Sequence, residues 1–263
     1  MIEQKLRKYG TGTFKTVVMH GGPGTPGEMK PVAERLSTDK GVLEPFQQAQ
    51  SIEVLVDELR DILIQYGMPP FTLLGHSWGA WLSYIFAAIH SDLVEKVILV
   101  GSPPFREKYA SEITDTRLKR LEGKERAEAE VLFNTLERNS GDVQRGALAW
   151  VRKLTRKADS YNPFPTDESV QVEIQPETYR KVWREAEEVR KSGELLELGE
   201  YIESPVVAIH GSYDPHPAEG VRDPLSRVLG DFKFVLLDKC GHTPWLEREA
   251  KDKFYAILEG ILG

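Results

Sequence analysis

Short apolar runs separated by helical stretches constrain this chain more than any other feature. Thr16-Val17-Val18-Met19, Phe71-Thr72-Leu73-Leu74, Val97-Ile98-Leu99-Val100-Gly101 and Val206-Val207-Ala208-Ile209 are nearly continuous apolar segments, not strict polar–apolar alternations. Runs of this kind suit strands covered on both faces, the condition of a parallel sheet with helices on each side. Phe232–Leu237 adds one more strand near the C-terminus. Between them, Ile52, Leu55, Val56, Leu59, Ile62 and Leu63 recur at intervals of three and four, predicting an amphipathic helix that starts after Ser51. Further helices are expected over roughly Glu28–Leu36, Ala80–His90 and Glu247–Leu262. The fold class is therefore α/β, a mostly parallel sheet flanked by helices.

The texture changes after Ser102-Pro103-Pro104. From about Phe105 to about Glu203 the chain is charged and helical, with no clear strand, and Lys119–Arg138 reads as a solvated helix face. This middle third is an insertion, so the organisation reads as a first core part over 1–104, a helical insertion over 105–203 and a second core part over 204–263.

Composition excludes several classes of function. The net charge of −7 opposes general affinity for nucleic acid or anionic membranes. Cys240 is the single cysteine, which leaves no intramolecular disulfide and no thiolate-built zinc site. Met1–Gly10 has no apolar h-region, and Ala80–Ile89, the most apolar helix candidate, is far short of a membrane span. The expectation is a cytoplasmic protein that needs no metal or organic cofactor and whose partner is a small molecule or a short peptide.

Gly75-His76-Ser77-Trp78-Gly79 is a G-x-S-x-G segment between a strand and a helix. In that setting a sharp turn projects the serine hydroxyl above the sheet, and the flanking positions approach neighbouring backbone too closely for a Cβ. Ser77 is thus the candidate nucleophile. It needs a base to accept its proton. Of six histidines, His20 and His76 sit inside turn motifs, His90 lies near a helix end, His210 ends a strand and His216 follows soon after. His242, in Cys240-Gly241-His242-Thr243-Pro244-Trp245, lies after the last strand and is the candidate base, because open α/β sheets place function at that edge. The base needs a carboxylate to fix its tautomer. Asp214, in Gly211-Ser212-Tyr213-Asp214, follows a strand and is the expected acid; Asp238 is the rival, but its nearness in sequence forces its side chain back across a tight loop. The tetrahedral oxyanion would be met by the N–H of Trp78 and by one from His20-Gly21-Gly22-Pro23-Gly24, with Gly22 the expected donor.

These segments together resemble a known family. His20-Gly21-Gly22-Pro23-Gly24, Gly75-His76-Ser77-Trp78-Gly79, Gly211-x-Tyr213-Asp214 and Gly241-His242 look like the proline iminopeptidase branch of the α/β-hydrolase superfamily. The resemblance implies the α/β-hydrolase fold, a serine hydrolase working through an acyl-enzyme, and a helical cap formed by the insertion. It also implies cap carboxylates that bind a substrate's free amine, for which Asp167, Glu168 and Glu173 are candidates. Two departures stand out. The first strong strand begins as early as Thr16, so the usual opening hairpin is expected to be trimmed to one strand or less. Ser37–Gln50 lacks the Asp-x-x-Gly-x-Gly-x-Ser turn of such enzymes. The expected activity is an exopeptidase-like amidase on small peptides. The alternatives are a carboxylesterase for small esters and a hydrolase fold used for ligand sensing.

Overall fold

The computed structural model describes residues 5–23, 25–137, 145–165 and 175–263. Asp167, Glu168 and Glu173 lie outside them. The centre is a seven-stranded sheet formed by β1 (Leu6–Tyr9), β2 (Phe14–Met19), β3 (Gly41–Pro45), β4 (Phe71–His76), β5 (Val94–Val100), β6 (Val206–Gly211) and β7 (Phe232–Leu237), in the order β1-β3-β2-β4-β5-β6-β7. All pairs are parallel except β1 with β3.

The unbroken apolar runs now have a physical reason. Successive strand residues point to opposite faces, and both faces are packed. Val17 and Met19, Leu73, Val97 and Leu99, and Val206 and Ala208 enter one core with helices α2 (Ile52–Tyr66) and α3 (Trp78–Ile89). Val18, Leu74, Ile98 and Val100, and Val207 and Ile209 enter the other with α1 (Lys30–Leu36) and a C-terminal helix over Lys251–Leu262. The edge strand β7 is only partly buried.

Two strands were not evident in the sequence. β3 falls in Ser37–Gln50, where no strand signal stood out, yet all five of its residues are buried because it lies between β1 and β2. β1 supplies the one opening strand, paired antiparallel from Leu6↔Pro45 to Tyr9↔Val42. Helix boundaries also move. α3 begins at Trp78 and not Ala80, because the turn hands directly into the helix at Ser77. The last helix begins at Lys251 and not Glu247, because Glu247 bridges to Pro163 and a turn over 248–250 leads into the helix. Ser51 caps α2, its side chain accepting from Val54 N–H at 3.4 Å.

Between β5 and β6 the described residues form α4 (Ile113–Lys119), α5 (Gly123–Glu137), α6 (Arg145–Asp159), α7 (Pro176–Ser192) and the short α8 (Glu194–Glu197); α9 (Glu219–Val228) and α10 (Lys251–Leu262) follow β6 and β7. The only pairing of strand type among the described residues of the insertion is an isolated bridge, Pro163↔Glu247. A small core of Leu121, Ala129, Phe133, Leu154 and Ala158 holds α5 and α6 together. No helix among the described residues is long and apolar enough to cross a membrane.

The sheet order creates a crevice. From β2 the chain moves outward to β3, and from β4 it moves the other way to β5, so the loops leaving the adjacent strands β2 and β4 diverge. Open sheets bind ligands at such points. The two loops are His20–Pro23 and the turn at Ser77, and they are held close by missing side chains. A Cβ on Gly75 would lie 2.0 Å from the Gly79 carbonyl oxygen, and one on Gly79 would lie 2.5 Å from that of Met19. Gly75→Ala is therefore expected to destabilise the protein by about 1–3 kcal/mol. Gly260→Ala, in α10 with nothing within 4 Å of the new Cβ, is expected to stabilise it by up to about 1 kcal/mol. Urea unfolding of the two variants checks the contrast.

Candidate active site

Ser77 sits at the turn with φ 52° and ψ −120°, a conformation non-glycine residues rarely adopt. Such strain, about 1–3 kcal/mol, persists only where the surroundings over-determine it. Here its N–H donates to the Val100 carbonyl at 2.9 Å, and α3 behind it is buried through Trp78, Trp81, Tyr84 and Phe86. From Phe71 to Ala87 every residue is buried except Ser77. The strained backbone therefore presents this one side chain to the crevice.

The structure brings His242 and Asp214 to the same edge. His242 Nδ1 lies 2.7 Å from Asp214 Oδ2. An ionised carboxylate only accepts, so Nδ1 carries the hydrogen and the lone pair is on Nε2. The His76 ring packs 4.7 Å from the His242 ring, and its Nε2–H donates to the His242 carbonyl at 3.0 Å, which joins the Ser77 turn to the histidine loop. On the other side, a Cβ on Gly101 would lie 3.1 Å from His242 Nδ1. Asp238 is exposed, and the carboxylate that reaches the imidazole is that of Asp214.

Asp214 serves a second imidazole as well, one to which the sequence assigned no role. His216 Nδ1 donates to Asp214 Oδ1 at 2.7 Å, and the His216 backbone N–H donates to the same oxygen at 2.9 Å. His210 Nε2 donates to the His216 carbonyl at 2.8 Å and lies 3.7 Å from Asp214 Oδ2. Burial alone would raise the pKa of Asp214, but the histidines around it hold the carboxyl well below its usual range. The two imidazoles bonded to it diverge. Burial pushes His216 down to about 4 and keeps it neutral. Burial also opposes charge on His242, yet the Asp214 charge and hydrogen bond outweigh it and raise its pKa. Asp214, His216 and His242 each offer a metal-ligating atom within 4.8 Å of one another, but both Nδ1 atoms already bond the carboxylate in this arrangement.

The glycine loop lies against the turn. Gly21 N–H donates to Glu28 Oε2 at 3.1 Å, so it is engaged, while Gly22 follows in a left-handed conformation with φ 43°. His20 Nδ1–H donates to the Gly21 carbonyl at 2.9 Å and its Nε2 accepts from Gln47 N–H at 3.3 Å; burial pushes its pKa to about 4. Trp78 anchors the start of α3 through Nε1–H to Gln47 Oε1 at 2.6 Å. Its backbone N–H belongs to the first turn, where helices lack internal acceptors.

The inserted segment also reaches the site, through residues no motif signalled. Glu247 is fully buried and accepts from Gly241 N–H (3.0 Å), Tyr161 N–H (2.8 Å) and Asn162 N–H (2.8 Å). The His242 N–H donates to the Asp159 carbonyl at 2.8 Å, and the Asp159 side chain is gripped bidentately by Arg117 at 2.8 and 2.7 Å. Arg120 bonds the carbonyls of Ala158 (3.0 Å) and Tyr213 (2.8 Å). The loop that carries His242 is thus bonded to the insertion over 159–164, and the loop that carries Asp214 to Arg120.

Comparison with known proteins agrees with this geometry at the level of fold. The sequence pattern of the Alpha/beta hydrolase family matches residues 17–256. The solved structure of VinJ superposes with a TM-score of 0.70 at 17% identity, over 98% of this chain and 93% of that one. The proline iminopeptidase of Mycobacterium smegmatis superposes with a TM-score of 0.64 at 15% identity, over 98% and 93%. Epoxide hydrolase 3 of Mus musculus is 32% identical over 54 residues, which is 20% of this chain and only 15% of that protein.

Glu247→Ala would strand the buried N–H of Gly241 and remove the acceptor of two part-buried ones, those of Tyr161 and Asn162, the buried donor alone costing about 1–3 kcal/mol when left unmade. A loss of at least about 1 kcal/mol in urea unfolding is the expected outcome. Glu249→Ala is the control: it removes an exposed contact to Asn162 and should change stability by less than about 0.5 kcal/mol.

Proposed function

The chain belongs to the alpha/beta hydrolase family, and from that premise we propose that it is a serine hydrolase acting through an acyl-enzyme on small acyl substrates, with a prolyl-aminopeptidase-like peptidase as the favoured activity. One observation carries the reading. The 2.7 Å bond from His242 to the buried Asp214 lies at the same sheet edge as Ser77, whose strained backbone alone breaks a buried run. In this mechanism Ser77 Oγ attacks the substrate carbonyl carbon while its proton passes to His242 Nε2. Asp214 holds the imidazole in the needed tautomer and stabilises the imidazolium. The N–H groups of Gly22 and Trp78 receive the oxyanion. His242 then protonates the leaving amine or alcohol as its bond to the acyl carbon breaks, and water repeats the sequence to free Ser77. The insertion acts as a cap over the site. Its bonds to the Asp214 and His242 loops support that role.

The peptidase reading is supported by the loop and turn motifs and by the iminopeptidase among the structural neighbours. A carboxylesterase is the second reading, favoured by the aromatic seam between insertion and core, where Trp183 stacks on Trp81 at 5.9 Å and Tyr179 on Trp183 at 6.4 Å. Fold does not decide between them. A substrate amine that must be held by a buried carboxylate does, because blocking it leaves that charge unpaired. Pro-aminomethylcoumarin is expected to be cleaved, its N-acetylated form not, and Ser77→Ala neither. A serine-directed fluorophosphonate should label wild type and leave Ser77→Ala unlabelled. Cleavage of p-nitrophenyl butyrate alone would remove the peptidase reading and leave the esterase.

The pH dependence follows from the sign of the shift. His242 must be neutral to act as base, and Asp214 raises its pKa, so kcat/KM should rise with a midpoint above about 6.5. The same shift makes the protonated pair a stabilising contact below about pH 6.5 that fades as pH climbs through the folded value. Asp214→Asn should lower the midpoint and cost about 10⁴-fold in rate. Asp238→Asn should change neither, and a larger loss at Asp238 would reverse the assignment of the acid.

A further inference from the structure

Glu28 is a carboxylate with no part in the chemistry above, yet it touches three of the segments that build the site. Its Oε2 accepts from Gly21 N–H at 3.1 Å and lies 3.5 Å from His76 Nδ1, the residue before the nucleophile. Its Oε1 lies 3.5 Å from Arg152 Nη2, on helix α6 of the insertion. Burial would favour its neutral form, but His76, Arg152 and His20 together hold its pKa below the ordinary carboxylate range. The group is therefore ionised.

Gly21 is the point where the glycine loop meets the nucleophile turn. A Cβ there would stand 2.8 Å from Glu28 Oε2, 2.9 Å from His76 Nδ1 and 3.1 Å from the Ser77 Cβ. The two peptide planes on either side of Gly21 have separate restraints. The plane before it is held by Gln47 Nε2, which donates to the His20 carbonyl at 3.3 Å, and by Glu28, which accepts from the Gly21 N–H. The plane after it is held at the Gly21 carbonyl by Thr25 Oγ1 at 2.5 Å and His20 Nδ1 at 2.9 Å. That second plane carries the Gly22 N–H, which in a trans peptide points opposite the carbonyl. Rotation at Gly21 is the remaining freedom by which the Gly22 donor could swing, and glycine offers little steric resistance to it. The Glu28 bond limits that rotation.

We propose that Glu28 is a positioning residue that clamps Gly21 against the nucleophile turn, fixes the aim of the Gly22 N–H, and through Arg152 couples this loop to the insertion. The inference rests on the serine-hydrolase reading, since it concerns the donor for the oxyanion. A well-aimed donor matters mostly in the transition state, so loosening it should lower kcat and leave KM nearly unchanged.

The test uses the full chain with turnover of whichever of Pro-aminomethylcoumarin and p-nitrophenyl butyrate the wild type cleaves and, independently, the rate at which a fluorophosphonate labels Ser77. Glu28→Ala is expected to lower kcat about 10- to 100-fold with KM within about threefold, and to slow labelling by a similar factor. Glu28→Gln keeps an oxygen that accepts from Gly21 N–H and should recover to within about fivefold of wild type. Arg152→Met should fall between the two. If Glu28→Ala does not fold, Glu28→Asp, whose carboxylate is one methylene short, takes its place under the same criteria. Unchanged kcat and labelling rate in Glu28→Ala overturn the proposal, as does a Glu28→Gln no better than Glu28→Ala. Wild type that fails to label at Ser77 removes the hydrolase reading itself; wild type that labels normally while Glu28→Ala matches it removes only the role of Glu28.

Discussion

The close approach of β2, β4 and α3 is the constraint on which the rest depends. Gly75 and Gly79 let the end of β4 fold directly into α3 beneath the carbonyls of Met19 and His20, where no side chain could fit. That closure places Ser77 at positive φ and leaves it the one partly exposed residue in a buried stretch. It also sets the glycine loop beside the first turn of α3, where free N–H groups and the positive end of the helix dipole converge. The strain at Ser77 is sustained because its N–H is tied to Val100 and the helix behind it is enclosed in the core.

Carboxylates, three of them buried and Glu28 half-buried, do most of the remaining assembly. Asp214 joins the His242 loop to the loop after β6; Glu247 joins the His242 loop to 161–162; Asp159 joins Arg117 of α4 to the end of α6; Glu28 joins the glycine loop to α6. A buried charge without partners is costly, so each of these groups enforces the joint position of the segments it bonds. The consequence for function is that the insertion cannot be treated as an independent lid on the described side. Its residues 158–164 are bonded along the loop that carries His242.

Environment also separates histidines that are chemically identical in the chain. His216 and His20 are pushed to about 4 by burial, whereas His242 is raised by the same carboxylate that His216 also bonds. Only His242 combines the carboxylate with partial exposure at the crevice. Asp214 thus favours charge on one imidazole, while burial keeps its neighbour neutral and bonded to the same carboxylate.

Much of this was legible before any coordinates. The apolar runs identify the central strands because both faces of a parallel sheet are buried, and Ile52–Leu63 shows its helix because one stripe must face the core. Gly75 and Gly79 around Ser77 announce a turn too tight for side chains, and the carboxyl-edge positions of Asp214 and His242 follow from strand order. These are local signals, carried by spacing of a few residues. What lies in β3 escaped because Gly41–Pro45 is short and carries Glu44, and only its place between β1 and β2 makes it a strand. Asp159, Glu247 and Glu28 escaped for a different reason. A polar residue acquires such a role from partners that are distant in sequence, 86 positions in the case of Glu247 with Tyr161 and 124 for Arg152 with Glu28. The chain alone determined the central strands, the turn and the candidate site side chains. Tertiary packing decided which carboxylate meets which histidine and how the insertion is bonded to the site, because burial and long-range hydrogen bonds exist only once the segments are brought together.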